Sequence, residues 1–326
     1  MSEPQDFEAL QPELILDAVD SLGLRSDGRF SALNSYENRV YQVGLEDGAP
    51  IVAKFYRPLR WSDEAILEEH AFSLALAERE IPVVPPSVYG SETLHRFQGY
   101  RFALFARRGG RAPELDDPDQ RLWLGRFLGR IHALGATADY KVRPAIDIER
   151  LAVEPSHYLL TEGWIPAHLE EAYRSLVEDL LLRIRARFAE AGDYLAIRLH
   201  GDCHVGNILW TDAGPHFVDL DDSIMGPAVQ DLWMLLSGDR AEQALQLSDI
   251  LEGYEEFHDF SRRELHLIEA LRTLRMIHYA AWLARRWTDP AFPQAFPWFD
   301  STRYWEDHVL SLREQAALLD EPPLMV

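Results

Sequence analysis

A single cysteine, Cys203, stands among the 326 residues. That excludes an internal disulfide and a cysteine-rich zinc module, and it fits a reducing compartment. Positive charge is also scarce: 32 Lys and Arg face 54 Asp and Glu, a formal net charge of −22. Such a field repels phosphate backbones and anionic lipid surfaces, so neither nucleic acid nor membrane is expected as a partner. No run approaches the ~18 apolar residues of a spanning helix. The opening Met1-Ser2-Glu3-Pro4 lacks the basic and apolar regions of a secretory signal, which makes the cytoplasm the expected location. Repeats, low-complexity tracts and long polar linkers are absent as well. What is present is an ordinary globular composition, 47% hydrophobic and 26% charged. At roughly 150 residues per domain the length suits about two domains, or two lobes around a cleft.

Element type changes along the chain. Pro12 opens a short helix that Gly23 stops. Phe30 to Leu33, Val40 to Leu45 and Ile51 to Phe55 read as strands, the last two joined by an Asp47-Gly48 hairpin turn. Ser62 caps a helix running from about Asp63 to Glu80. Strands at Val88 to Thr93 and Tyr100 to Phe105 precede a polar crossing, Arg107 to Arg111. The boundary is drawn there: residues 1–106 form one lobe and 107–326 the other. The second is mostly helical, with helices closed by Gly135, from Pro166 to Gly192, from Arg262 to Trp287 and from Thr302 to Leu319. One strand-like island interrupts them: Leu195 to Leu199, Ile208 to Thr211 and His216 to Leu220.

That island reads His200-Gly201-Asp202-Cys203-His204-Val205-Gly206-Asn207, then an apolar strand, a Thr211-Asp212-Ala213-Gly214-Pro215 turn and Phe217-Val218-Asp219. A hairpin folding back there can bring Asp202, Asn207 and Asp219 around one point. Phosphoryl transfer needs little covalent help: a base for the hydroxyl proton, hard oxygen ligands for Mg²⁺ on the phosphates, and positioning. Asp202 fills the first role, Asn207 and Asp219 the second.

HGDCHVGN followed by FVDLDD resembles the His-Gly-Asp-x-His-x-x-Asn and Ile/Val-Asp pair of the aminoglycoside phosphotransferase and choline kinase superfamily. The longer runs HGDCHVGNILW, GPAVQDLWMLL and LNSYENRVYQV are similar to its bacterial stress-response Ser/Thr kinase branch, from about Phe30 to the C-terminus. The resemblance implies an α+β, two-lobed protein-kinase-like fold, with a small antiparallel-sheet N-lobe and a larger, mostly helical C-lobe. It also implies ATP and Mg²⁺ as cofactors. His200 and Asp231 match residues that brace the catalytic loop.

An ATP site of this kind requires a lysine on the hairpin strand, and Val52-Ala53-Lys54 supplies it. Its partner on the next helix is Glu68 or Glu69; helical phase, with Phe72, Ser73 and Leu76 on the same face, favours Glu69. The loop Asn34-Ser35-Tyr36-Glu37-Asn38-Arg39 has no glycine. The resemblance nonetheless places it over the phosphates, with Ser35 and Arg39 as contacts. Adenine is expected between Val43 and Val52, bonded to backbone near Phe105 and Ala106.

Blander readings compete. His200, Cys203 and His204 are spaced like a partial zinc site but lack further ligands, and Cys203 suits a packed loop. Asp221 and Asp222 are at least as well explained as a solvated acidic run. Trp282, Trp287, Trp298, Phe299, Tyr304 and Trp305 suit helix packing better than a cation cage. Three functions remain: a Ser/Thr protein kinase leads, a small-molecule kinase acting on an amino alcohol, aminoglycoside or sugar follows, and a pseudokinase ranks last because no essential residue is missing. A monomer is expected, and the acidic net charge favours a basic or cationic acceptor.

Overall fold

A computed structural model describes residues 7–326. Helix α1 (Pro12–Asp20) starts on its proline and lays Ile15, Ala18 and Val19 into the core. It covers one face of a five-stranded antiparallel sheet. The strands are β1 (Ser26–Ala32), β2 (Arg39–Leu45), β3 (Ile51–Phe55), β4 (His95–Phe97) and β5 (Tyr100–Ala106), in the order β1-β2-β3-β5-β4. Gly48, at φ 109°, makes the β2–β3 turn. Side chains alternate across a sheet, so Val43, Ala53, Phe55, Phe102 and Leu104 pack beneath α1, while Val52 and Lys54 face the other way. Over that second face runs α2 (Asp63–Glu78), capped by Ser62, whose hydroxyl accepts from the Ala65 N–H at 3.2 Å.

The helical part comprises α3 (Pro118–Gly135), α4 (Glu154–Thr161), α5 (Glu170–Ala191), α6 (Val229–Trp233), α7 (Arg240–Tyr254), α8 (Ile268–Arg285), α9 (Ala291–Ala295) and α10 (Thr302–Asp320). Helices α3 and α7 touch backbone to backbone. A Cβ on Gly125 would lie 1.9 Å from the Ile250 carbonyl oxygen, and one on Gly253 would lie 2.1 Å from that of Leu122. Among these helices sit two short antiparallel pairs, β6 (Ile197–Arg198) with β9 (Met225–Gly226) and β7 (Ile208–Thr211) with β8 (Gly214–Phe217).

Two seams join the halves. The chain after α2 bonds to β8, Phe217 N–H to the Pro82 carbonyl at 2.7 Å and Val84 N–H to the Phe217 carbonyl at 3.0 Å. The crossing after β5 exchanges bonds with β7 through Arg111 and Trp210.

Several expected elements differ. Val88 to Thr93 is irregular, and the edge strand is His95–Phe97. The helix expected from Pro166 begins at Glu170, and Arg262–Leu267 is a 3₁₀ turn ahead of α8. Helices α4, α6, α7 and α9 are additional. Their faces carry polar or small residues, as at Gln246 and Gly253 of α7, because they pack through close backbone approach and hydrogen bonds as well as apolar stripes.

Candidate active site

Asp202 follows β6, Asn207 leads into β7, and Asp219 follows β8. The connecting loop is held from below. Asp231 on α6 is fully buried and accepts from the backbone N–H of His200 and of Gly201, both at 2.8 Å, and lies 3.0 Å from His132 Nε2. Tyr254 secures the other side of that imidazole at 2.9 Å. Gly201 is obligatory for this path: its φ is +87°, and a Cβ there would lie 2.1 Å from the Asp222 carbonyl oxygen. His200 Nε2 bonds the Val218 carbonyl at 2.9 Å, tying the two limbs of the ribbon together. Asn207 Nδ2 donates to the Asp202 carbonyl at 3.0 Å. Asp219 adopts left-handed backbone, φ 59°, ψ 64°, which turns its carboxylate out of the strand direction into the cleft.

Lys54 reaches the same point from the sheet. Its Nζ is 2.7 Å from Asp219 Oδ1 and 3.3 Å from Asp221 Oδ1. Burial alone would lower the pKa of this amine, but the two carboxylates outweigh it and hold the proton on. Lys54 is one of only two lysines in the chain, the other being Lys141.

Glu69 is buried beside this pair on α2, and its charge is felt at Lys54, but the ion pairs of Lys54 go to Asp219 and Asp221. Burial pushes the Glu69 carboxyl up to about 7. Glu68 is engaged elsewhere: it accepts backbone N–H groups of Lys141, Val142 and Arg143 at 2.7–3.2 Å. Arg143, itself buried, donates to Ala65, Asp221 and Ser223 carbonyls and so locks α2 onto the catalytic ribbon.

Asp202 does not face open solvent alone. Arg275 on α8 donates to its Oδ1 at 2.6 Å, and His204 Nε2 is 3.4 Å from its Oδ2. Burial raises the Asp202 pKa, yet the His204 bond and the Arg275 charge reverse that and hold the carboxyl well below the usual range.

Among the nucleotide-side expectations, Val52 shares the cleft face with Lys54, Ala106 ends β5 opposite Ile51, and Ser35 is half-buried in the β1–β2 loop. Val43 is corrected: it is fully buried beneath α1, on the wrong face for adenine, and Val40, paired with Lys54, takes the cleft side. Asp221 is corrected as well. It is no solvated residue but 2% exposed, bonded to Arg60 and, at 3.0 Å, to Asn38.

Cys203 is fully buried with its thiol pushed well up by burial, so it is packing rather than a nucleophile. Trp287, Phe299, Tyr304 and Trp305 form a mutual packing cluster with ring centroids 5.0–5.3 Å apart. Arg275, Glu37 and Arg143 carried no local sequence signal, because each acts on residues tens of positions distant. The scarcity of lysine narrows the choice to Lys54 and Lys141, and only Lys54 lies on a strand.

Among the described residues no group of three His, Cys, Asp or Glu is placed to hold a metal ion. Asp219 and Asn207 are the side chains of this ribbon that could hold a cation, in company with oxygens from outside the chain.

The sequence profile of the phosphotransferase enzyme family matches residues 29–268. Stress response kinase A of Escherichia coli strain K12 is 48% identical over 320 residues, 98% of this chain and 97% of its own. The serine/threonine protein kinase RdoA of Salmonella typhimurium is 46% identical over the same length and the same shares. In fold, the chain is similar to an amicoumacin kinase solved with AMP-PNP and Ca²⁺, at a TM-score of 0.75 and 19% identity over 96% of this chain and 94% of that one. A microcompartment-associated aminopropanol kinase gives 0.68 and 16% over 93% and 95%. The chain thus has an α+β, kinase-like architecture: a small antiparallel sheet beside a larger helical part. No described helix is long and apolar enough to cross a membrane.

Proposed function

The chain belongs to the phosphotransferase enzyme family, and from that premise we propose that it moves the γ-phosphate of ATP to a serine or threonine hydroxyl of a protein. The observation that carries this reading is the meeting of Lys54 from the sheet with Asp219 from the catalytic ribbon, 2.7 Å apart, beneath the loop bearing Asp202. The similarity to two kinases along nearly their whole length supports a protein acceptor.

In this proposal residues 1–106 hold the nucleotide and 107–326 supply catalysis and the acceptor side. Lys54 leaves Asp219 for phosphate oxygens, with Asp221 at 3.3 Å and the buried Glu69 behind it. Val52 packs on adenine, Ala106 offers backbone to it, and Ser35 lies over the phosphates. Asp202, held ionised, orients the hydroxyl and accepts its proton. Asp219 and Asn207 hold Mg²⁺, which supplies charge neutralisation on the phosphates when bound. The protein acts as a cytoplasmic monomer.

Purified protein incubated with radiolabelled ATP and Mg²⁺, together with a proteome or a metabolite extract, tests the reading. Label on Ser or Thr of protein is expected, Ser35 of the chain itself included; label confined to a metabolite rejects the protein acceptor in favour of a small-molecule kinase. No transfer to any acceptor rejects the activity.

A further inference from the structure

We infer that the acceptor carries an anionic group beside the hydroxyl it offers, and that Arg275 recognises it. This deepens the phosphotransfer reading and rests on it.

Helix α8 meets both halves of the molecule, with Arg275 near its middle on Asp202 and Arg286, just past its C-terminal end, on Glu37. Arg275 is 44% exposed by side chain. Its planar guanidinium has five donors, and the bond to Asp202 Oδ1 engages one nitrogen. Partly exposed beside Asp202, Arg275 keeps donors for a group on an acceptor whose hydroxyl comes to that carboxylate. A carboxylate or phosphate on the acceptor meets there a fork able to bind it bidentately.

Arg150 adds positive charge near helix α8, felt at His278. It lies with its guanidinium 6.0 Å from the Trp61 ring, and its Nη1 is buried without a hydrogen-bond partner. Other arginines of this region are committed, Arg60 to Asp221 and Asp222 and Arg286 to Glu37, and His204 Nε2 lies 3.4 Å from the Asp202 carboxylate. His278, one turn beyond Arg275, registers the local field: burial and the charges of Arg150, Arg285, Arg286 and Arg275 push its pKa down to about 4, so it is neutral and adds no positive charge of its own.

The net charge of −22 pointed to a cationic acceptor, but the local arrangement opposes it. Exposed charges beyond a Debye length of about 8 Å are screened in physiological salt, whereas an ammonium beside the base would meet Arg275 directly. An acceptor with a neighbouring carboxylate or phosphate gains a charge-assisted bond in its place.

Two matched sets of acceptors separate the sources of such an anion. One is a Ser-centred peptide flanked by Asp, by Ala or by Arg; the other is glycerate, glycerol and ethanolamine. In each active set the anionic member is expected to show a kcat/KM roughly 10- to 100-fold above the neutral one, the size of one charge-assisted hydrogen bond. Arg275→Gln should erase that margin mainly through KM. Arg275→Glu should invert it toward the Arg-flanked peptide or ethanolamine, a gain that a merely structural role for Arg275 would not produce. Transfer by the wild type to neutral or cationic acceptors as readily as to anionic ones overturns the inference while leaving phosphotransfer intact. So does an unchanged preference order in both variants. Absence of transfer to every acceptor, in crude extracts as well, instead overturns the phosphotransfer reading beneath it.

Discussion

Lys54 Nζ lies between two carboxylates of unequal exposure: Asp219, 2.7 Å away with its side chain 48% exposed, and Asp221, 3.3 Å away with its side chain 3% exposed. Removing the lysine therefore leaves one charge that water can reach and one that it cannot. Lys54→Met should cost about 2–4 kcal/mol, as expected when a buried pair loses one partner, tempered by the Arg60 and Asn38 bonds that Asp221 retains. Asp219→Asn should cost under about 1 kcal/mol, as for an exposed pair, yet abolish metal-dependent transfer equally. Urea unfolding of both variants measures the gap; equal costs would refute the assignment of Asp221 as the buried anchor.

Asp202 is the group expected to take the hydroxyl proton. Asp202→Ala should lower transfer by roughly 10²–10⁴-fold while ATP-analogue affinity changes less than about twofold, because the residue touches Arg275 and His204 rather than Lys54. Its lowered pKa also carries a sign. A depressed carboxyl stays ionised as pH falls past its ordinary value, so no acid limb from this residue should appear between pH 8 and about 4. Initial rates across that range check it, and a limb that disappears in Asp202→Asn with the rest of the profile intact would contradict the site.

Glu69 behaves in the opposite way. Its carboxyl is raised to about 7 in the folded protein, against an ordinary value near 4.3. Below pH ~4.3 both states hold the proton and there is no difference. As pH rises toward 7 the unfolded chain ionises first, so the stability of the wild type falls relative to Glu69→Gln, by an amount on the order of 3 kcal/mol, and the difference levels off above. Paired urea titrations from pH 4 to 8 measure this difference, and because His70 Nε2 lies 3.8 Å from Glu69 Oε2, repeating the pair in a His70→Gln background separates the carboxyl from that imidazole. A difference that is flat with pH would show that Glu69 is already ionised beside Lys54.

The ribbon that carries Asp202, Asn207 and Asp219 was legible because it is local: the Asn207 side chain bonds the Asp202 carbonyl and the Val218 N–H bonds the Asn207 carbonyl, so one short stretch folds back on itself. Lys54 was legible through its strand and hairpin turn. Val43 was misplaced because apolar character in a strand does not tell which face is which; the register with β3 does, and only pairing fixes it. Asp221 was misread because its partners, Lys54, Arg60 and Asn38, come from loops and strands more than 160 residues earlier. Arg275 reaches Asp202 from 73 residues away, a contact set by the packing of α8, which no local pattern encodes.

The β1–β2 loop has no glycine, and it needs none. Among the described residues every position from 33 to 38 has negative φ, so no dihedral there calls for one; side-chain pairs from both halves of the molecule hold its shape. The Glu37 carboxylate meets Arg286 at 2.6 Å, Trp282 Nε1 at 2.5 Å and Arg57 at 3.0 Å, while Arg57 also donates to the Tyr36 and Glu37 carbonyls. Asp289 binds Arg39 at 2.9 Å and Arg57 at 2.8 Å. Glu37→Gln removes the one anion facing both Arg57 and Arg286, each of which is 16% exposed by side chain. Like charges then repel across the seam between sheet and α8, and the loop loses its tether on the helical side. Hydrogen exchange of residues 33–38 should quicken, and KM for ATP should rise about tenfold with kcat changed less, since a loosened loop weakens phosphate contacts before it alters the base. Arg286→Gln should do the same, and the double variant should cost less than the sum of the two singles, a coupling of about 1–3 kcal/mol. Unchanged exchange in both single variants would mean that the loop holds its shape by backbone alone, and the ion cluster would then be a surface ornament of the seam rather than the substitute for glycine.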